Sequence, residues 1–277
     1  MWWTVGVGAA AAAILPPAGL FVWHRTRRAE VYRRLASERG AIVARHPAAF
    51  DFAAAAASLA REFARERVIR VDRALTPEFL AQALAECEAN RQRIERSYIP
   101  THKKGGTVGY ESIHRSLPLC LSIYHSPALA LYLSELIGSP VGPTADHDQS
   151  SCSALFYTEA GDHIQWHYDH NFYRGRHFTV LIPLINRNAA GDGLSQSLFE
   201  RQRPEPQGGD LSYSTAANSL IVFEGNQVRH RATPLGEGEL RIMLSMTFAT
   251  DSRIRFTHEV ARRVKETAFF GLRALWD

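Results

Sequence analysis

Two histidines and one aspartate in this chain have the residue types and spacing of ligands for a single metal ion. His167 and Asp169 are separated by one residue, so in a β-strand both side chains project from the same face. A third ligand is available from His230, in the segment Gln227–Pro234, which we predict to be a second strand. Two imidazoles and one carboxylate on one side of an octahedral metal leave three positions open. That arrangement suits Fe(II) with a chelating co-substrate and dioxygen, whereas a four-ligand structural zinc site leaves no open position.

The segment Leu240–Phe248 adds a cation to this constellation. In a strand, Arg241 would share one face with Ser245 and Thr247, and the opposite face would be apolar: Ile242, Leu244, Met246 and Phe248. An apolar outer face is covered by protein, so the polar face is expected to look into a cavity. A buried guanidinium needs an anion, and its planar fork matches a carboxylate. A structural ion pair with an Asp or Glu is the alternative interpretation of Arg241.

These residues belong to an ordered set that resembles the 2-oxoglutarate- and Fe(II)-dependent oxygenases, in the prolyl-hydroxylase-like branch. The resemblance covers about residues 66–250 and is carried by Leu155-Phe156-Tyr157, Gly161-Asp162, His167-x-Asp169, Gly208-Gly209-Asp210-Leu211, Ser219-Leu220-Ile221-Val222-Phe223, His230, Thr233-Pro234-Leu235 and Arg241. It implies that His167, Asp169 and His230 are the catalytic iron ligands. It also implies that Arg241 binds the distal carboxylate of 2-oxoglutarate.

The same resemblance implies two further contacts to 2-oxoglutarate. Tyr157, ten positions before His167, is expected to hydrogen-bond the co-substrate. Many members of the family carry a Ser or Thr two positions after the arginine, but this chain has Met243 there. Ser245 is the nearest hydroxyl on the same face and is the expected substitute.

The activity implied by the resemblance is that of a dioxygenase. 2-Oxoglutarate would be decarboxylated to succinate while an unactivated carbon of a small-molecule or lipid substrate is hydroxylated. Related halogenases carry a small residue in place of the carboxylate ligand, which makes room for chloride. Because Asp169 occupies that position, hydroxylation is favoured over halogenation.

Two other interpretations of these histidines lead to different classes of protein. His163 and His167 stand four residues apart, as in helical zinc hydrolases, but the glutamate expected after the first histidine is Ile164. A cupin-like jelly roll that binds a metal without redox chemistry is the stronger rival. Arg241 and Tyr157 separate it from an oxygenase, because a plain binding module needs no keto acid pocket.

Weaker substrate contacts are expected beside the predicted metal ligands. Asn171 and Tyr173 begin a cationic, glycine-containing loop after the metal-binding strand, and loops at a barrel mouth often carry substrate contacts. A solvated loop is the competing interpretation. Trp166 precedes His167 and is expected to pack in the core or to form part of the pocket wall.

Length and composition fit one catalytic domain with an extension. The chain has 277 residues, and its 45% hydrophobic and 22% charged content are ordinary for a folded protein. The net charge of +4 comes partly from arginines clustered at positions 25–34, so no nucleic-acid-binding surface is predicted. The three cysteines, Cys87, Cys120 and Cys152, form no close pair, which favours a reducing compartment over a disulfide framework.

The first residues suggest a membrane anchor. Residues 2–23 contain no charge and are long enough to cross a bilayer as a helix. The arginines that follow would keep the catalytic domain in the cytoplasm as a single-pass membrane protein. Glycine and alanine at positions 8–13 and the pair Pro16-Pro17 weaken this prediction, and a soluble cytoplasmic protein is the alternative.

The remaining pattern predicts an α+β, mainly β fold. Residues 1–23 are the predicted anchor, 24–65 a helical linker broken near Pro47, and 66–277 the oxygenase domain. A strand is predicted at residues 67–72, followed by a helix that starts at Thr76-Pro77 and runs to about Glu95. Lys103–Gly106 is predicted to be a flexible loop and a lid over the active site, and a second helix starts at Ser126-Pro127 and ends at Gly138. Short strands from about 151 to 250 predict a double-stranded β-helix, or jelly roll, with helices packed on one sheet. Residues 187–210 are predicted to be a polar insertion, and His258–Trp276 a final helix.

Overall fold

The computed structural model describes residues 26–146, 148–203 and 208–254. In these ranges the helices are residues 26–45 (α1), Ala56–Glu66 (α2), Pro77–Ala89 (α3), Tyr110–Ser116 (α4), Pro118–Tyr124 (α5) and Pro127–Ile137 (α6), with a short 3₁₀ turn at Arg91–Arg93. The strands are Val68–Val71 (β1), Glu95–Ile99 (β2), Lys103–Val108 (β3), Gly142–Pro143 (β4), Cys152–Tyr157 (β5), His163–His167 (β6), His177–Arg187 (β7), Leu198–Gln202 (β8), Asp210–Ser214 (β9), Leu220–Phe223 (β10), His230–Ala232 (β11) and Leu240–Ala249 (β12).

The strands form one curled antiparallel sheet in the order β1-β10-β7-β12-β5-β3-β6-β11-β8-β9, and β2 and β4 add to β3 and β12. Helices α1 to α6 cover the outer face of the larger part of this sheet, where Leu35, Phe63 and Leu133 join the main hydrophobic core. The predicted fold class, a mainly β jelly roll with helices packed on one sheet, is confirmed.

The alternation of β12 determines which side of the sheet is the inside. Ile242, Leu244, Met246 and Phe248 are buried in the core beneath the helices. The opposite side chains, Arg241, Met243, Ser245 and Thr247, line a cavity enclosed by the curl of the sheet. Because β12 pairs with β7 on one side and β5 on the other, these side chains are held at the centre of the sheet. The predicted polar cavity face of this strand is confirmed.

Two helix boundaries follow the predicted capping signals. Thr76 precedes α3, its hydroxyl accepts a hydrogen bond from the backbone N–H of Phe79, and Pro77 occupies the first helical position. Gly138 ends α6 with a left-handed φ of 71°, a conformation that glycine adopts without steric cost.

The predicted lid at Lys103–Gly106 is wrong, because these residues form β3 in the interior of the sheet. Gly106 reflects close packing rather than flexibility. A Cβ atom on Gly106 would lie 2.4 Å from Cγ2 of Ile94 and 3.3 Å from Cβ of Phe156. Glycine is therefore needed for Ile94 and β5 to pack against this strand.

Two other boundaries differ from the prediction. Helix α3 ends at Ala89 rather than near Glu95, and the side-chain amide of Asn90 donates to the carbonyl of Glu86 at its end. The expected polar insertion at residues 187–210 contains β8, which pairs with both β11 and β9. That strand is part of the cavity wall through Phe199.

The predicted N-terminal anchor at residues 1–23 and the predicted helix at His258–Trp276 lie outside the described residues. Among the residues that the structure describes, no helix combines the length and apolarity needed to cross a membrane.

Candidate metal centre and co-substrate cavity

The two histidines are brought together by pairing of β6 with β11. His167 is directly opposite His230 in this ladder, and their ring centroids are 4.2 Å apart. The next paired residues are Ile164 and Ala232, so β6 has one more residue than β11 between the two pairs. This bulge lets both Ile164 and His167 face the cavity.

Both imidazoles are oriented by their own backbone. Nδ1 of His167 donates to the carbonyl of Gln165 at 2.7 Å, and Nδ1 of His230 donates to the carbonyl of Val228 at 2.9 Å. With the proton on Nδ1, the lone pair of Nε2 is available in each ring, which is the tautomer that a metal ligand requires.

Asp169, just beyond the end of β6, completes the group. Its Oδ1 lies 3.5 Å from Nε2 of His167 and 3.8 Å from Nε2 of His230. One ligand atom from each of the three residues lies within 4.8 Å of the others. Three such atoms converging from one side can hold a metal ion and leave its other positions to ligands from the cavity.

The ionisation of His230 and Asp169 fits a metal site. Burial between Phe199 and Phe223 lowers the pKa of His230 to about 4, so this imidazole is neutral near pH 7. For Asp169, burial opposes ionisation, but the facing imidazoles of His230 and His167 outweigh it and hold the pKa of the carboxyl well below its usual range. A neutral His230 imidazole and an ionised Asp169 carboxylate need no deprotonation before they bind a divalent cation.

Arg241 lies in the same cavity and is 1% exposed. Its Nη1 donates a hydrogen bond to the hydroxyl of Ser197 at 2.8 Å, and the guanidinium carbon lies 4.2 Å from the centroid of the Tyr157 ring. Its Nε has no hydrogen-bond partner, and among the described residues no carboxylate is within ion-pair distance of it. Burial lowers the pKa of Arg241, with a partial offset from Tyr157. The predicted alternative of a structural ion pair therefore has no partner in the described part of the chain.

The surroundings of Arg241 also differ in one detail from the prediction. Ser245 lines the cavity on the same strand, as expected, but the hydroxyl bonded to the guanidinium is that of Ser197. Ser197 in turn donates to the carbonyl of Thr233 at 2.6 Å, which fixes the position of its oxygen. Tyr157 faces Arg241 directly across the β5–β12 ladder, and burial raises the pKa of its phenol.

The rest of the cavity is apolar near the histidines and polar at other points. Its apolar wall includes Leu155, Leu181, Phe199, Phe223 and Met243. The charged or titratable groups that line it, apart from those above, are His102, Lys103, Asp148, Tyr168, His170, His177 and Arg231. Lys103, assigned to a lid by its sequence, is 4% exposed and donates to the hydroxyl of Thr107 at 2.9 Å.

The structure does not bring the three weaker substrate candidates into the cavity. Trp166 stacks against Arg229 and Arg231, whose guanidinium carbons lie 5.7 and 4.7 Å from its ring centroid. The side chain of Asn171 shapes the following turn through bonds to Gly175 and Tyr173. Tyr173 is 1% exposed, and its hydroxyl donates to Asp148 at 2.5 Å.

Sequence reasoning missed three polar residues of this site. Ser197 and Thr179 contact Arg241 and Asp169 respectively, and Lys103 lies on the cavity wall. For Lys103 a signal was available, since Lys103, Gly105 and Thr107 alternate as in a strand with one polar face. Ser197 and Thr179 carry no local signal, because their contacts are set by the pairing of distant strands.

Comparison with known families gives one match that spans most of the chain. Residues 50–266 match the family model described as HalD: Halogenase D, which covers well over half of the sequence. No curated protein matches the chain in sequence.

Solved structures with a similar fold come from the 2-oxoglutarate oxygenases. The non-heme alpha ketoglutarate dependent epimerase SnoN from nogalamycin biosynthesis shares 15% identity with a TM-score of 0.58, over 70% of this chain and 80% of SnoN. A prolyl-4-hydroxylase from Pseudomonas putida shares 15% identity with a TM-score of 0.54, over 73% of this chain and 100% of that protein. A 2OG-Fe(II) oxygenase family oxidoreductase from Burkholderia pseudomallei shares 14% identity with a TM-score of 0.55, over 74% and 95%. At these identities the similarity establishes the fold, and the predicted resemblance to this superfamily is confirmed at that level.

Proposed function

The chain belongs to the Halogenase D family, and from this membership, its fold and its cavity we propose that it is a non-haem iron oxygenase that uses 2-oxoglutarate and dioxygen to hydroxylate a small molecule. The observation that carries this proposal is the convergence of His167, Asp169 and His230 within 4.8 Å at the wall of a cavity that also contains a buried arginine with no carboxylate partner among the described residues. The alternative of a metal-binding module without redox chemistry accounts for the three ligands but gives no role to that arginine.

His167, Asp169 and His230 would hold Fe(II) on one side, with the remaining positions open to the cavity. Arg241, supported by Ser197, would take the distal carboxylate of 2-oxoglutarate through its unsatisfied Nε and remaining N–H groups. Tyr157 packs against the same guanidinium and would contact the co-substrate. With 2-oxoglutarate and dioxygen as co-substrates, an iron ion held by these residues would supply the oxidising power for an unactivated carbon, and 2-oxoglutarate would be converted to succinate and carbon dioxide.

The chain's own contribution is to orient these groups and to keep water from them. Phe199 and Phe223 pack against the His230 ring at centroid distances of 5.6 and 4.6 Å, and Leu181 and Met243 extend the apolar wall. Because these apolar side chains exclude water and lower the local dielectric constant, they strengthen the attraction between Arg241 and a carboxylate. A small-molecule substrate is also consistent with SnoN, which has been solved with Fe3+, alpha ketoglutarate and nogalamycin RO.

Asp169 supports hydroxylation as the outcome even though the family carries the name of a halogenase. Its carboxylate oxygen faces both imidazoles, so it would fill the third protein position on a metal held there. If 2-oxoglutarate took two more positions on such a metal, only one would be left, and dioxygen would need it. A halide would have no position of its own.

The proposal is tested by anaerobic reconstitution of the purified chain with Fe(II). Addition of 2-oxoglutarate is expected to produce a weak visible charge-transfer band, and admission of air is expected to release succinate. His167→Ala should abolish both signals. The matched control is His163→Ala, on the same strand, whose Nδ1 bonds the Gly161 carbonyl and whose ring is not part of the cavity wall. Absence of the band and of succinate from the wild-type chain would reject the oxygenase and leave the binding module.

The halogenase alternative is separated by a second titration. Chloride or bromide added to the wild-type Fe(II)–2-oxoglutarate complex is expected to leave the visible band unchanged. In Asp169→Gly the same titration is expected to shift the band, because the missing carboxylate opens a position on the metal. A halide-dependent shift in the wild-type chain would overturn the assignment of hydroxylation.

A further inference from the structure

Asp169 is held differently from the two histidines. His167 and His230 are paired within the β6–β11 ladder, whereas Asp169 lies two residues beyond the last residue of β6. Its backbone N–H donates to the carbonyl of Gly225 at 3.0 Å. The carboxylate can still rotate about its side-chain bonds, so its orientation toward the metal position depends on what the side chain contacts.

The outer oxygen of this carboxylate is bonded to a rigid strand. The hydroxyl of Thr179 donates to Oδ2 of Asp169 at 2.5 Å, while Oδ1 faces the two imidazoles. Thr179 lies in β7, between Phe223 of β10 and Thr247 of β12, and is 5% exposed. The two oxygens therefore have different partners: one faces the metal position and the other is tied to the sheet.

Gly225 packs against the other side of the Asp169 carboxylate. A Cβ atom at this position would lie 2.3 Å from Oδ2 of Asp169, 2.8 Å from its Cβ and 2.8 Å from the hydroxyl of Thr179. No side chain can occupy such a space without moving the aspartate. The φ of Gly225 is not in the left-handed region, so glycine is required here by close approach and not by backbone conformation.

The turn that carries Gly225 is anchored through the preceding residue, Glu224. The buried carboxylate of Glu224 accepts from Arg176 and Arg67, and the backbone N–H of Glu224 donates to the carbonyl of Arg67. The same turn contains Val228, whose carbonyl orients the ring of His230. One anchored turn thus supports two of the three proposed ligands.

We propose that Thr179 and Gly225 form a seat for the outer oxygen of Asp169 that makes this carboxylate a one-oxygen ligand. The proposal rests on the iron site proposed above. If Oδ2 were free to turn inward, both oxygens could occupy the metal, leaving two open positions instead of three, too few for a two-point chelator and dioxygen together. Thr179 is thus a positioning residue for Asp169. Gly225 leaves the space that Oδ2 of Asp169 and the hydroxyl of Thr179 occupy.

The first test replaces the hydroxyl while keeping the volume. In Thr179→Val, Oδ2 loses its donor, and we expect affinity for Fe(II), measured anaerobically by competition with a chelator, to fall by about 10–100-fold, the range typical of lost outer-shell partners. The visible band formed with 2-oxoglutarate should weaken at saturating Fe(II), because the freed carboxylate competes for a chelating position. Thr179→Ser, which restores the donor, should recover both signals.

The second test fills the space. Gly225→Ala is expected to displace the aspartate and to reduce Fe(II) affinity at least as strongly as Thr179→Val. Gly142→Ala is the matched control, since a Cβ there meets no atom within 4 Å and the backbone is not left-handed. Thermal unfolding of each metal-free variant shows whether the fold has been retained.

The outcomes separate this proposal from the one on which it rests. If the wild-type chain does not bind Fe(II), the oxygenase itself is rejected. If the wild-type chain binds Fe(II) and forms the band, but folded Thr179→Val matches it in affinity and in band intensity, the seat is rejected and the iron site stands. Loss of Fe(II) binding in Thr179→Ser as well as in Thr179→Val would also reject a role for the hydroxyl donor.

Discussion

Replacing Arg241 by methionine is expected to weaken the binding of 2-oxoglutarate. In the absence of 2-oxoglutarate, the same change is expected to leave the free energy of unfolding unchanged or to raise it. The guanidinium is 1% exposed, and within the described part of the chain it has one hydrogen bond, to Ser197, and an Nε without a hydrogen-bond partner. If 2-oxoglutarate supplies the missing anion, removing the arginine leaves the distal carboxylate buried and unpaired, which costs about 2–5 kcal/mol. A central figure of about 3 kcal/mol corresponds to roughly 150-fold weaker binding.

The weaker binding can be measured as a smaller stabilisation of the native state by 2-oxoglutarate. At 2-oxoglutarate equal to about 100 times the wild-type Kd, binding stabilises the native state by about 2.7 kcal/mol, and a roughly 150-fold weaker Kd reduces this to about 0.3 kcal/mol. Denaturant unfolding with Mn(II) as a redox-silent metal, with and without 2-oxoglutarate, measures both values. Without 2-oxoglutarate, Arg241→Met should be as stable as the wild type or more stable, because an unpaired buried charge has been removed.

A second arginine of the cavity is the control. Arg231 also lines it, but its Nε is 2.6 Å from Glu200 and its guanidinium stacks on Trp166, so its charge is already paired. Arg231→Met should leave the effect of 2-oxoglutarate nearly unchanged. The reasoning is refuted if Arg241→Met binds metal normally and its affinity for 2-oxoglutarate changes by less than about fivefold, since about 1 kcal/mol is the size of an ordinary neutral hydrogen bond.

Three further perturbations follow from the same structure. Burial lowers the pKa of His125 to about 3, below its unfolded value near 6.5, so its contribution to stability is complete above about pH 6.5 and is lost as pH falls toward 3. In urea titrations His125 should account for about 2 kcal/mol of the stability lost between pH 7 and pH 5, and His125→Gln should remove that part of the slope while the part due to His230, whose pKa burial also lowers, remains. Leu244→Ala, in the core beneath the helices, should lower the free energy of unfolding by about 2–5 kcal/mol in the same assay. Calorimetry should find 2-oxoglutarate bound about fivefold more weakly by Ser197→Ala and less affected by Ser245→Ala, because only the first loses a hydrogen bond to Arg241.

The parts of the fold that could be predicted are those encoded in local alternation. Strand β12 has a strict polar and apolar period, and its two faces in the structure are the predicted ones. The breaks at Pro47 and Gly138 and the start at Thr76 are single-residue signals whose physical effects are local. The grouping of His167, Asp169 and His230 was reached through an ordered resemblance, and strand spacing by itself left other metal sites open.

The parts that could not be predicted depend on distant partners. Strand β8 looks polar because Arg201 occupies one of its buried positions, and that charge is tolerated because its guanidinium meets Glu66 of α2 at 2.6 Å. The bulge of β6 arises from its pairing with β11 and determines how His167 faces the cavity. The hydroxyl beside Arg241 was expected within β12 and is supplied by Ser197, some forty residues earlier in the chain.

Family membership and the metal ligands give separate information about the reaction. The Halogenase D match covers the whole jelly roll and defines the scaffold, but a scaffold hosts whatever chemistry its site residues permit. In the proposed iron site the carboxylate of Asp169 would occupy the position that a halide would need, and its outer oxygen is bonded to Thr179 against a glycine that leaves no spare volume. Removing Asp169 would vacate a metal position and at the same time leave the Thr179 hydroxyl as an unpaired donor facing it, and an unpaired donor favours an anion. The tendency of Asp169→Gly to take up chloride should therefore decrease when Thr179→Val is added, and equal halide affinity of the single and double variants would contradict this coupling.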